Sequence, residues 1–143
     1  MGFMKTRWTD SIDRNNPLPE YPRPQMEREN WMSMNGVYDY AIVDSKIEWV
    51  ENYDGEIVVP FAVECMLSGV EKPLKPDQKL WYKKIFTIPE NMKGKILYSI
   101  LLLLTGNVMY MSIKSLQETI EAVMQHSLLI SHDYLKTVKM SLL

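Results

Sequence analysis

The chain has 143 residues, 46% hydrophobic and 24% charged, with a formal net charge of −2. That length is one domain by the usual ~100–200 residues, and the fractions are ordinary for a soluble globular protein. The near-neutral balance leaves no basic footprint for nucleic acid, and the single cysteine, Cys65, excludes an internal disulfide and a cysteine-cluster metal site.

Composition divides the chain into an extended Pro-rich arm over 1–30, a strand-rich body over 31–95 and an apolar tail over 96–143. Met1-Gly2 through Thr6 fits the loose myristoylation pattern, and no charged segment followed by an apolar run marks a signal peptide. Pro17, Pro19, Pro22 and Pro24 forbid a helix and favour extended backbone. Trp8 and Tyr21 are expected to pin this arm to the domain; stacking on a sugar ring is the alternative.

Residues 27–34 are expected to form a short helical turn. Trp31 is expected in the core, with a carbohydrate platform as the sharper reading. Asn35-Gly36 signals a turn, and Tyr38, Tyr40 and Ile42 line one face of the strand that follows. Residues 44–52 read as a connection or irregular edge strand, polar except for Ile47, Trp49 and Val50. Asp54-Gly55 then turns the chain into a β-branched strand over 56–63. Cys65 is expected as a small buried residue, and Pro73 and Pro76 bracket a solvated loop. A second long strand, over 80–88, places Leu80, Tyr82, Phe86 and Ile88 on one face and Trp81, Lys83 and Thr87 on the other. That is the period of a half-buried strand. Lys84 interrupts the inner face. It is expected either to pair with a carboxylate such as Glu64 or to reach solvent at a strand end.

Residues 96–113 are nearly all apolar and approach the ~20 residues of a membrane span. Gly106 and Asn107 at the middle count against one, because an unpaired amide is costly in hydrocarbon. Over 114–124, Leu116, Ile120 and Val123 fall on one stripe of an amphipathic helix, with Ser115 and Glu118 placed as a capping box.

Several words occur in a fixed order along the first two thirds of the chain: Pro17-Leu-Pro-Glu-Tyr-Pro-Arg-Pro-Gln25, Trp31, Asn35-Gly36, Tyr38-Asp39-Tyr40, Asp54-Gly-Glu-Ile-Val-Val-Pro-Phe61, Ser68-Gly-Val70 and Leu80-Trp-Tyr82. Together they resemble the N-terminal sugar-binding domain of glycoside hydrolase family 2, the β-galactosidase and β-glucuronidase group. The resemblance implies a mainly β fold: a jelly-roll-like, galactose-binding-domain-like β-sandwich, here partial and followed by a C-terminal helical tail. It also implies a parent that hydrolyses O-glycosidic bonds of β-galactosides or β-glucuronides, cytoplasmic or exported. Such a parent engages carbohydrate through a barrel domain whose two glutamates stand about 5 Å apart. That barrel is not in this sequence, so the fragment alone is expected to be inactive, with no catalytic, cofactor-binding or metal residue. Glu56, Glu64, Glu71 and Glu90 match no catalytic motif and belong to strand ends and loops. His126 and His132 have no Ser, Cys or metal partner at a meaningful spacing. Neither a cofactor nor a nucleic-acid partner is expected.

After Gly94-Lys95 the tail departs from the family. With suitable codons, the bases for 96–112 read in the third frame give Ile-Ile-Leu-His-Phe-Ala-Ala-Val-Asp-Trp-Gln-Cys-Asp-Val-Tyr-Val-Asn, the family's own continuation. The tail is therefore read as out of frame. A second reading takes 96–113 as the anchor of a small membrane-associated protein.

Overall fold

The structure is a computed structural model. It describes residues 7, 9–21, 25 and 27–93 in backbone and side chain, and beyond residue 96 only short lengths of strand backbone. The C-terminal helical tail expected over 96–143 lies outside the fully described residues. So do Trp8, His126 and His132.

The centre is a three-stranded antiparallel sheet. β1 (Gly36–Asp44) lies between β2 (Gly55–Val59) and β3 (Gln78–Ile85). Gly36 faces Val59 and Tyr40 faces Gly55 across the first pair, and Asp39 faces Lys83 and Asp44 faces Gln78 across the second. The backbone of Thr137–Leu142 runs antiparallel along the other side of β3. Among the described residues, helical structure is limited to single 3₁₀ turns at Thr9–Ser11, Met66–Ser68 and Glu90–Met92 and to a 3₁₀ conformation at Gln25.

The strands form where the apolar residues alternate, because successive side chains of a strand point to opposite faces. On one face Tyr38, Tyr40, Ile57, Leu80 and Tyr82 are buried together with Val63. Tyr38 and Tyr82 meet edge to face across the strands, with centroids 6.2 Å apart. On the other face Ala41, Trp81 and Val50 are buried, with Val43 and Tyr53 against them. Both faces are thus covered, and each fully buried aliphatic side chain contributes about 1.5–3 kcal/mol.

The bounds of two strands differ from the sequence expectation. β2 stops at Val59 instead of running to residue 63, because Pro60 has no N–H for the ladder. There the chain turns, and the Phe61 and Cys65 amides donate to the carbonyls of Val58 and Ala62. β3 starts two residues early, at Gln78, and ends at Ile85, leaving Phe86 and Ile88 half-buried beyond it. The helical turn expected over 27–34 does not form. The Met34 carbonyl accepts instead from the Tyr38 hydroxyl at 2.7 Å and from Lys84 Nζ at 3.1 Å.

The loop between β2 and β3 crosses past β1 and is organised by Ser68, which is fully buried. Its hydroxyl contacts the carbonyls of Cys65 (2.7 Å) and Val63 (3.2 Å) and accepts from the Val70 amide at 3.1 Å. Gly69 follows at φ +80°, a left-handed conformation that favours glycine. Cys65, expected to be buried, is half-buried at this turn.

Candidate functional site

β1 and β3 place two polar constellations on opposite faces of the sheet. The first lies where the arm meets the start of β1. Lys84 is half-buried, and its Nζ donates to the carbonyls of Asn35 at 2.9 Å and Met34 at 3.1 Å. The same ammonium stands 4.7 Å from the centroid of the Tyr38 ring. Lys84 does not pair with Glu64: it stands one residue from the end of β3, half-buried, with its ammonium on two backbone carbonyls and a ring face. Burial pushes its pKa down. Two hydrogen bonds from a charged donor, each about 1.5–3 kcal/mol, act against that desolvation.

Gly36 shows how tight this junction is. It has φ +124°, and a Cβ there would stand 2.9 Å from the Asn15 carbonyl oxygen and 3.1 Å from Lys84 Nζ. The Asn35 side chain donates to the Pro17 carbonyl at 3.2 Å, which fixes the buried Pro17 against the turn. Tyr21 pins the arm as expected, and its partner is Trp31: the two rings meet edge-on at 4.7 Å and 82°. Trp31 is half-buried here, not a core residue. It serves as the anchor for the arm.

The second constellation is on the opposite face. Lys83 pairs with Asp39, its register partner, at 3.1 Å, and its Nζ lies 4.7 Å from the Tyr53 ring centroid. Burial, and then the Asp39 charge, pushes the Tyr53 pKa up. Tyr53 packs on the cluster containing Trp81. Trp49 meets Trp81 edge-on at 6.2 Å and keeps 46% of its surface exposed. The exposed indole and the Lys83–Asp39 pair thus both belong to the Trp81 face of the sheet, an aromatic surface and a charged donor–acceptor pair. Sequence reading passed over Trp49 because its surroundings, Lys46, Glu48, Glu51 and Asn52, are polar. The only local signal was an aromatic residue in a segment with no strand period.

The remaining candidates are scattered. Glu56, Glu64 and Glu71 are exposed in β2 and the following loop, and Glu90 meets Lys93 within its own turn. Glu64 has a secondary electrostatic effect: burial pushes the Tyr82 pKa up to about 12, with the Glu64 charge adding to the shift. Among the described residues there is no group of three or more His, Cys, Asp or Glu placed to hold a metal ion. Also among them, no helix is long and apolar enough to cross a membrane. No protein-family model matches the chain, and no curated protein sequence matches it.

Proposed function

We propose that this chain is the N-terminal sugar-binding-domain portion of a family 2 glycoside hydrolase, out of frame after Lys95 and without catalytic activity of its own. The parent would hydrolyse β-galactoside- or β-glucuronide-type bonds with carboxylates supplied by its barrel. The observation that carries the reading is the ordered set of words over 17–82. Further support comes from where those words fall. Asn35-Gly36 opens β1, Pro60 ends β2, Ser68-Gly69 holds the crossing loop, and Leu80-Trp-Tyr82 fills both faces of β3. In this reading the three strands are the first part of a jelly-roll-like sandwich. The module contributes binding surface, and Trp49 is its exposed indole.

Genomic DNA sequenced across the codon for Lys95 and well downstream tests the proposal. The expected result is a one-base correction that opens a frame into a barrel with two catalytic glutamates. A reading frame that stands as written, with no such barrel in any frame beyond it, would overturn the proposal.

A further inference from the structure

The arm junction carries an inference that does not depend on the family reading. Three contacts converge on the turn at 34–36: Lys84 from β3, the Tyr38 hydroxyl from β1 and the arm through Pro17 and Asn15. Lys84 reaches the turn from 49 residues away in sequence. Its ammonium makes no ion pair with a described carboxylate, so its position is set by the two carbonyls and the Tyr38 ring. Once those carbonyls are fixed, the Asn35 side chain is directed at the Pro17 carbonyl. The arm also touches the crossing loop, where Arg14 Nη2 lies 3.5 Å from the place a Gly69 Cβ would take. Residues 18–20 of the arm are otherwise exposed.

We propose that Lys84 is the positioning residue of a latch: by holding the 34–36 turn it seats the Pro-rich segment 15–21 as a strap, and the strap opens without dismantling the sheet. The sheet has its own support on both faces, in two clusters of buried side chains. Among the described residues, the strap is held to the body by one side-chain hydrogen bond to Pro17, one buried proline and one aromatic edge contact. Local opening at such a lightly held segment has a lower free energy than opening of the buried strands.

Trypsin cleavage after the exposed Arg14 reads the open strap, because cleavage tracks the open population when opening and closing are fast. The 143-residue chain is compared with Lys84→Met, Lys84→Arg and Asn35→Ala, with amide exchange of β1 and β2 followed in parallel. Lys84→Met is expected to speed cleavage after Arg14 about tenfold, the effect of one hydrogen bond to a charged donor. Lys84→Arg is expected to restore most of the protection, and Asn35→Ala to match Lys84→Met. Strand amides should keep their protection in all three variants. Unchanged cleavage in both Lys84→Met and Asn35→Ala would overturn the latch. So would a parallel loss of protection in β1 and β2, which would make Lys84 a general determinant of folding. If Lys84→Met does not fold, the proposal falls on the same ground.

Discussion

Lys83 and Lys84 are neighbours in β3, and each holds its Nζ 4.7 Å from the centroid of a tyrosine ring. Beyond that their surroundings diverge. Lys83 pairs with a carboxylate at the surface, with side chains 25% and 44% exposed. Lys84 is half-buried on two backbone carbonyls with no ion pair to a described residue. The pleat alone sends the two to opposite faces. Residue type and local position therefore do not fix what a lysine contributes. A surface pair is screened and loses side-chain freedom, so its net value is small. A cation that bonds the Asn35 carbonyl, and shares the Met34 carbonyl with the Tyr38 hydroxyl, holds backbone in place, and its removal takes both of those bonds away.

Four measurements test this contrast, and the largest effect concerns the scaffold on which both lysines stand. Trp81→Ala removes the buried side chain between the Lys83 face and the sheet, and should cost about 3–5 kcal/mol by urea unfolding. A cost below that of the lysine variants would show that the outer face is held by something other than this indole. Lys84→Met comes next: it should raise strap opening about tenfold, read by trypsin cleavage after Arg14, while the urea midpoint stays close to that of the unaltered chain. Unchanged cleavage would remove the distinction between the two lysines.

Alkaline pH separates the faces in a different way. Burial lowers the Lys84 pKa, so the folded chain releases that proton before the unfolded chain does. The unfolded chain then holds more protons, and stability from this group rises with pH between the lowered value and the ordinary lysine range. Tyr82 works in the opposite sense. Its pKa is pushed up to about 12, so the unfolded chain ionises first and stability falls as pH climbs from the ordinary tyrosine value towards 12. Tyr53, also raised, adds to the loss. Urea midpoints at increasing alkalinity should therefore fall steeply above about pH 10, where tyrosine ordinarily ionises. The Lys84→Met variant should lack the preceding rise, and a Tyr82→Phe variant should lose much of the fall. A wild-type midpoint that stays level through this range would contradict the buried state of the Tyr82 hydroxyl.

The smallest effect is expected from Lys83→Met. An exposed pair of this kind is worth about 0–1 kcal/mol, and less at high salt. A double-mutant cycle with Asp39→Asn measures it directly, and a coupling well above that range would place Lys83 in the same class as Lys84.

Much of the sheet was legible in the sequence. Tyr38, Tyr40 and Ile42 on one face of β1, and Leu80 and Tyr82 opposite Trp81 and Lys83 in β3, follow from an alternation that needs no knowledge of partners. The end of β2 was readable in principle from Pro60, yet the apolar run through Phe61, Ala62 and Val63 outweighed it. Trp31 was misplaced because size and hydrophobicity suggest a core, whereas its partner is a tyrosine of the arm. The polar contacts were the least legible. Nothing near Lys84 in sequence indicates Met34 or Asn35, and nothing near Lys83 indicates Asp39.

The strand-rich body, the extended arm, the turn at Asn35-Gly36 and the two-faced pattern of β3 follow from local sequence alone, since each depends on steric and periodic properties of consecutive residues. Tertiary structure alone decided that β1 lies between β2 and β3, which lysine meets a carboxylate and which meets the backbone, and where the arm is seated. Those outcomes depend on register between segments distant along the chain, and a shift of one residue would exchange the environments of Lys83 and Lys84.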